Sequence, residues 1–338
     1  MNDLRTVLLP LVLIASASAQ PRGAGKKQGF AQPAPARQVT VSEIPGVVAA
    51  GTKWTLAWQG TDNADGIVGT SGGGLLFAQE QPSRVSELDV NDHVSYYAED
   101  THGAGALAFD SKGHLLAVER TCTDPGGHAD QCTEPTKVVV LAHDVKRTVL
   151  ADNYQGKSLG RLNDLMVDKK GGVYFNGAAT FYVNPQGQVS SIGENIRTNG
   201  ILLSRDEKTL YVTNGAQIVA FDIQPDGTAR NQRVFAMLAA GGPGDGMAID
   251  SEGRLYVSSP PGVQVLSPEG KYLGLIPTPR EAISVAFSGP GKRTLYIVGS
   301  GALGPDGKEF RTPDGVRNNA KSIYKITMLA QGFTGRAK

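Results

Sequence analysis

The sequence predicts an all-β protein built as a six-bladed β-propeller. One pattern of apolar runs recurs six times along the chain, at intervals close to 40 residues. Each copy joins an apolar run through a Gly-containing or polar turn to a second apolar run. No window shows three or more turns of helical apolar spacing, and 43 Gly and 19 Pro residues interrupt the 338-residue chain. Short β-rich runs repeated at this period are typical of propeller blades.

The six copies have recognisable starting points and one irregular interval. They begin at residues 65, 105, 163, 199, 245 and 283, so successive copies lie 40, 58, 36, 46 and 38 residues apart. The clearest copy runs from Asn163-Asp-Leu-Met-Val-Asp168 through a Gly-Gly turn to Val173-Tyr-Phe175. A late apolar segment, Ser322-Ile-Tyr-Lys-Ile326, is predicted to complete the first or last blade, so a chain end should close the ring.

The amino-terminal segment predicts an exported protein. Residues 1–19 have the features of a signal peptide: Arg5, a short apolar run over 7–14, and small residues at the cleavage sites. Residues 20–40 are rich in Pro, Gly and Ala and predict a disordered linker. The propeller is expected over 41–330, with a tail over 331–338. We therefore expect a secreted or periplasmic protein with no integral membrane segment after signal cleavage.

The long interval contains the only two cysteines, Cys122 and Cys132. In an oxidising compartment such a pair predicts a disulfide that staples a loop inserted near 120–136. A zinc site is the less favoured alternative, because only His128 lies nearby as a further ligand.

The 33 basic and 32 acidic residues leave a formal charge of +1, which gives no indication of nucleic acid as a partner. We expect a monomer with a small-molecule ligand.

The first residue of each copy is the candidate functional position. Because the innermost strand of every blade lines the central channel, these residues should form a ring near one channel mouth. The ring comprises Asp65, Gly105, Asn163, Asn199, Asp245 and Ile283. Converging carboxylate and carboxamide oxygens suit Ca²⁺ or another divalent ion. Asn-Gly and Asp-Gly pairs also occur simply as turn residues, and the spacing alone leaves both interpretations open.

Three segments carry a family resemblance. Arg161-Leu-Asn-Asp-Leu-Met-Val-Asp168 resembles the R-x-N-D-x-x-V-D segment of the gluconolactonase/regucalcin family. Thr198-Asn-Gly-Ile-Leu-Leu-Ser204, with the following Asp206-Glu-Lys-Thr-Leu-Tyr211, resembles its N-G-I-x-x-S-x-D-x-K-T-L-Y segment. Gly244-Asp-Gly-Met-Ala-Ile-Asp250 resembles P-D-G-M-x-x-D, with Gly244 in place of Pro. The resemblance implies a six-bladed propeller that holds one divalent metal in its channel and hydrolyses sugar lactones or related esters.

The resemblance also implies roles for individual residues. Asn199 and Asp245 match two metal ligands of the family. Asn163 matches a position that contacts substrate or metal-bound water, and Arg161 matches a substrate-binding arginine. The remaining family ligand is a Glu in the first blade; Asp65 stands at that place and would be the third metal ligand, one methylene shorter.

The implied reaction is metal-assisted hydrolysis of a lactone. The metal would polarise the carbonyl, and Asp245 would serve as ligand and general base. Ca²⁺ is the expected ion, with Zn²⁺, Mg²⁺ and Mn²⁺ as alternatives. The competing interpretation is a non-catalytic propeller that binds a small ligand or a partner protein through its channel face. A third is an enzyme of related architecture, similar to strictosidine synthase or a phosphotriesterase.

Overall fold

The computed structural model describes residues 34–120, 134–141, 147–196, 198–311 and 319–336. These residues form six four-stranded antiparallel sheets and one two-stranded hairpin, which confirms the predicted six-bladed propeller. The only helix in these ranges is a single 3₁₀ turn, Pro290–Lys292. Nothing helical in the described residues has the length and apolarity needed to span a bilayer.

Each blade has four strands, which follow one another from the channel outward. Blade 1 contains Ile67–Gly69, Leu75–Gln79, Arg84–Leu88 and Val94–Glu99, and blade 2 contains Ala104–Phe109, Leu115–Glu119, Lys137–Val140 and Thr148–Ala151. Blade 3 contains Leu165–Val167, Val173–Asn176, Thr180–Val183 and Val189–Ile192, and blade 4 contains Thr198–Leu203, Thr209–Asn214, Gln217–Ile223 and Ala229–Met237. Blade 5 contains Met247–Ile249, Leu255–Ser259, Gly262–Leu266 and Tyr272–Pro277, and blade 6 contains Ala282–Ser288, Thr294–Ser300, Ala320–Thr327 and Thr55–Gln59. The hairpin pairs Asn153–Tyr154 with Lys157–Ser158.

The hydrophobic core lies between neighbouring blades. Inner strands such as Leu75–Gln79 are buried along their whole length, because each sheet is covered on both faces. This explains why these strands are continuous apolar runs and do not alternate apolar with polar residues. Within blade 3, the ring of Phe175 stacks on that of Phe181, which lies opposite it on the next strand, with centroids 5.3 Å apart. The packing therefore holds the six inner strands in fixed positions around the channel.

The ring closes through the amino-terminal part of the chain. Ala320–Thr327 is the third strand of blade 6, as a chain-end closure requires, and Thr55–Gln59 pairs with it as the outermost strand. The pairing register places Leu56 opposite Tyr324. The Trp58 ring lies 4.9 Å from that of Phe77, which belongs to blade 1. The sequence pattern had not assigned Thr55–Gln59 to a blade.

Both terminal segments contact the propeller. The Arg37 backbone N–H donates to the Pro279 carbonyl, and its side chain donates to the Thr278 carbonyl at 2.7 Å, so the ordered contacts begin before residue 41. Near the other end, Phe333 N–H donates to the Ile249 carbonyl, and Arg336 donates to the Leu203 carbonyl at 2.6 Å. The predicted signal peptide, residues 20–33 of the linker, and the Cys122–Cys132 pair lie outside the described residues.

Candidate active site

The six repeat-start residues occupy equivalent positions in the propeller. Each lies within an innermost strand or within two residues of its start. Five of them are partly exposed although their neighbours along the chain are largely buried, as expected for side chains that face a channel. Those five are Asp65, Asn163, Asn199, Asp245 and Ile283. The sixth, Gly105, is buried.

The glycines that follow three ring residues serve close packing of the blades. A Cβ on Gly200 would lie 2.1 Å from the Asp245 carbonyl oxygen, and one on Gly66 would lie 2.5 Å from Ala106 Cα. None of the three glycines has a positive φ; they are Gly66, Gly200 and Gly246. These Asp-Gly and Asn-Gly pairs therefore do not form left-handed turns. Their glycines let the next blade approach, while the polar residue before each one faces the channel.

Hydrogen bonds connect the ring residues from blade 3 to blade 5. Asn163 Nδ2 donates to Asn199 Oδ1 at 2.7 Å, and the Asn199 side chain in turn hydrogen-bonds Asp245. Asn176, at the end of the second strand of blade 3, fixes the main chain at this point: its Nδ2 donates to the Asn199 carbonyl at 2.6 Å. Asp164 accepts the Ile201 N–H at 3.1 Å and so joins blade 3 to blade 4. The structure thus brings Asn163, Asn199 and Asp245 together.

Asp65 joins this network through an arginine from blade 2. Arg120 Nη1 donates to Asp65 Oδ2 at 2.5 Å and to Glu80 Oε2 at 2.8 Å. Arg120 Nη2 reaches Asn163 Oδ1 at 3.2 Å. Arg161 Nη2 donates to the same Glu80 oxygen at 2.7 Å, and the Arg161 side chain stays 35% exposed. Asp65, Asn163 and Arg161, predicted from two sequence segments, therefore share one cluster of polar and charged groups.

Burial and charge give the carboxyl groups of this cluster different pKa values. Burial, together with the charges of Asp65 and Asp164, raises the pKa of the Asp245 carboxyl well above its usual value. Burial also raises the pKa of Asp65, although the Arg120 charge opposes that rise. Burial also tends to raise the pKa of Glu80, but the positive charges and hydrogen bonds of Arg120 and Arg161 outweigh this effect and lower the pKa. Negative charge is therefore well compensated at Glu80 and poorly compensated at Asp245.

Sequence reasoning missed Glu80, Arg120 and Asp164. In each blade the second strand runs antiparallel to the first, so its last residues return to the channel mouth where the ring residue lies. Glu80 directly follows Leu75–Gln79, and Arg120 directly follows Leu115–Glu119. A charged residue straight after a second strand that begins with four apolar residues and ends in Gln79 or Glu119 was the available signal. Asp164 lies next to Asn163 and was visible only as part of the repeat pattern.

The donor atoms at the ring suit a hard divalent ion. Asp245 supplies a carboxylate in surroundings with excess negative charge, and Asn199, whose side chain hydrogen-bonds that carboxylate, supplies a carboxamide oxygen. Both are ligand types that Ca²⁺ takes. Across the described ranges no group of three or more His, Cys, Asp or Glu side chains is placed to hold a metal, so an ion at the ring depends on amide oxygens as well.

Comparison with known proteins places the chain in a family. Residues 67–301 match the SMP-30/Gluconolactonase/LRE-like region. The chain is 33% identical to a gluconolactonase of Zymomonas mobilis subsp. mobilis over 187 residues, 46% of this chain and 52% of that protein. It therefore spans about half the length of that curated relative.

Solved structures share the fold over most of the chain. A gluconolactonase of Xanthomonas campestris superposes with a TM-score of 0.67 at 21% identity, covering 90% of this chain and 99% of that one. A regucalcin of Agrobacterium tumefaciens, a calcium-binding protein, superposes with a TM-score of 0.60 at 17% identity, covering 82% and 96%. With a family match across most of the six blades, the chain belongs to the SMP-30/gluconolactonase/LRE-like family.

Proposed function

We propose that this chain is a lactonase, a carboxylic ester hydrolase that opens a small lactone ring at the channel mouth. The observation that carries the proposal is the single hydrogen-bonded network joining Asp245, Asn199 and Asn163 beside a partly exposed arginine, Arg161. A carboxylate, amide donors and a guanidinium are the groups needed to take a proton, orient a carbonyl and hold an oxygen-rich ring. The gluconolactonase of Zymomonas mobilis supports the same class of substrate.

Asp245 is the proposed general base. Its carboxylate lies in the ring at the channel mouth, is partly exposed there and is oriented by a hydrogen bond from Asn199, so it is placed to take a proton from water. The water oxygen would bond to the lactone carbonyl carbon as Asp245 takes the proton. The ring C–O bond would then break, and the proton would pass to the departing alkoxide oxygen, giving a hydroxy acid.

Arg161 and Asn163 are the proposed substrate-binding residues. Glu80 holds the Arg161 guanidinium from one side at 2.7 Å, which orients the side chain while leaving part of it exposed. Asn163 is fixed between Arg120 and Asn199, so its amide requires little reorganisation when a ligand arrives. These contacts would hold the lactone with its carbonyl carbon towards the water bound at Asp245.

When bound, a divalent ion would supply polarisation of the lactone carbonyl, and Asn199 and Asp245 are the residues that would hold it. Ca²⁺ is the ion we propose, because carboxylate and amide oxygens are its preferred ligands. The calcium-binding regucalcin of Agrobacterium tumefaciens, which shares the fold, is consistent with this choice.

Hydrolysis of a panel of sugar lactones and simple lactones, with Ca²⁺ and with EDTA, tests the proposal. We expect wild-type hydrolysis that EDTA abolishes, and we expect Asp245→Asn to lower kcat/KM by about 10²–10⁴-fold because a general base is lost. Asp226→Asn is the matched control, since Asp226 lies in an exposed turn of blade 4 where it accepts from Thr228. Circular dichroism should show that both variants remain folded.

Two results would count against this function. If the wild type hydrolyses no lactone in the panel yet binds Ca²⁺, the chain is a non-catalytic binding propeller. If Asp245→Asn retains more than about a tenth of the wild-type kcat/KM, Asp245 is not the base.

A further inference from the structure

Arg120 fills a gap in the ring of channel-facing residues. Blade 2 contributes Gly105, which has no side chain, at the repeat-start position. A Cβ on Gly105 would lie 2.2 Å from Arg120 Cζ and 2.3 Å from Arg120 Nε, so the guanidinium occupies the space that a side chain of residue 105 would need. Arg120 itself comes from the end of the neighbouring strand, and its side chain is only 2% exposed. The ring thus contains a buried cation at blade 2.

The guanidinium of Arg120 bridges three blades. Within blade 1 it contacts Asp65 Oδ2 at 2.5 Å and Glu80 Oε2 at 2.8 Å. Towards blade 3, its Nε donates to the Leu162 carbonyl at 2.8 Å and its Nη2 to Asn163 Oδ1 at 3.2 Å. Arginine stays protonated under all conditions in which a protein folds, so this positive charge is permanent. Asp65 therefore has a built-in counter-ion.

This counter-ion opposes a divalent ion at Asp65. An ion that coordinated the Asp65 carboxylate would lie within a few ångströms of the guanidinium, and like charges repel strongly where solvent screening is weak. Asp245 differs, because it hydrogen-bonds the neutral side chain of Asn199, and the negative charges of Asp65 and Asp164 act on it more strongly than the positive charge of Arg120 does. A cation is favoured on the side of Asp245 and disfavoured on the side of Asp65.

We propose that Arg120 serves as the counter-ion of Asp65 in place of a divalent ion, so that Asp65 is a positioning residue and the ion is held by Asn199 and Asp245. Asp65 then anchors Arg120, and Arg120 orients Asn163, which in turn donates to Asn199. The inference rests on the ion of the proposed function and changes the role that the sequence predicted for Asp65.

Calorimetric titration of the purified, metal-free protein with Ca²⁺ tests the inference without any substrate. Asp65→Asn/Arg120→Gln removes one negative and one positive charge together, so the charge of the site is conserved. We expect the Kd of this double variant for Ca²⁺ to stay within about threefold of the wild-type value. We expect the Kd of Asp245→Asn to rise at least about tenfold. Arg120→Gln alone should tighten binding at least about threefold, because the released Asp65 carboxylate can join the ion. Arg120→Lys keeps the charge and should not tighten it.

The inference is overturned if the charge-conserving double variant loses binding as severely as Asp245→Asn, since Asp65 would then be a direct ligand. It is also overturned if Arg120→Gln weakens binding, or if neither it nor the wild type binds Ca²⁺. Should Arg120→Gln fail to fold, the Ca²⁺ affinity of Asp65→Asn alone decides. If Asp65→Asn binds Ca²⁺ with a Kd at least about tenfold lower than that of Asp245→Asn, the inference is supported. If the two variants have equal Kd values, the inference is refuted. An inactive wild type would overturn the lactonase function but would leave these binding results interpretable.

Discussion

At the scale of single residues, the position after a ring residue is constrained more tightly than the ring residue itself. Gly200 meets the carbonyl of the next blade's ring residue, Asp245, at a distance that leaves no room for a methyl group. The backbone of Asp245 is held in turn, because its N–H donates to the Ser258 carbonyl at 2.9 Å. A side chain at residue 200 must therefore displace either blade 4 or the proposed base.

We predict that Gly200→Ala lowers both stability and activity. The added methyl group would overpack the interface of blades 4 and 5 and cost roughly 1–3 kcal/mol of unfolding free energy. Lactonase activity should fall further than this loss explains, because Asp245 moves. Gly72→Ala is the control, since a Cβ there meets only Thr70 Oγ1, at 3.9 Å. Urea unfolding and kcat/KM measured on both variants check this; equal behaviour of the two would contradict the close-packing argument.

At the scale of elements, the closing blade joins strands from opposite ends of the chain. Ile323 is fully buried in the third strand of blade 6 and lies opposite Trp58 of the amino-terminal strand. It packs in the cluster shared by blade 6 and blade 1, which also contains Phe77 and Leu88. Inside blade 6, no short connection links the third strand to the amino-terminal fourth strand, so this junction depends on strand pairing and side-chain packing.

Truncation of this buried side chain should weaken the ring. We predict that Ile323→Ala lowers the unfolding free energy by about 2–5 kcal/mol, as large-to-small changes in a core do. Val234→Ala is the control, because Val234 lies on the outermost strand of blade 4 with 58% exposure, and its replacement should cost less than about 0.5 kcal/mol. Both values come from chemical denaturation. A small loss at Ile323 would mean that the closure contributes little.

At the scale of the whole molecule, one buried and one partly buried lysine make stability depend on pH. Lys321 of blade 6 is completely buried, and its ammonium group donates to the Thr61 carbonyl and approaches Gln81 Oε1 at 3.5 Å, next to blade 1. Burial lowers the pKa of Lys321 to about 8, and burial likewise lowers the pKa of Lys292 to about 8. In the unfolded chain both would keep the ordinary value for lysine, so the unfolded state binds more protons above pH 8.

The expected pH dependence follows from that difference in bound protons. Below pH 8 both states carry the charge, and the folded state bears the full cost of burying it. From pH 8 to pH 10 the folded state loses protons first, so the unfolding free energy should rise, by roughly 1–3 kcal/mol in total. Lys321→Met should reduce the slope. The buried tyrosines have raised pKa values, so their ionisation in the unfolded chain opposes this rise as the pH approaches 10. Urea unfolding at pH 8, 8.5 and 9 therefore measures the slope due to the lysines, and a stability that falls between pH 8 and pH 9 would exclude the assignment.

The fold and half of the candidate site were predictable from the sequence for one physical reason. Each blade is a local unit, so its apolar strands, its turn and its ring residue lie within one repeat. Aligning the repeats therefore placed Asn163, Asn199 and Asp245 at equivalent positions, and the structure brings these three into contact. Their chemical roles, and those of Asp65 and Arg161, remain predictions for the hydrolysis and titration experiments.

Only the tertiary structure decided how blades meet and how charges pair. Arg120 reaches Asp65 across 55 residues of sequence, and Arg161 reaches Glu80 across 81. Neither separation belongs to the repeat, because these side chains cross from one blade to another. The outer strand of blade 6 could not be predicted from the repeat pattern for the same reason, because Thr55–Gln59 pairs with a strand near the opposite end of the chain. Packing within a repeat is encoded locally, whereas contacts between repeats are set by closing the ring.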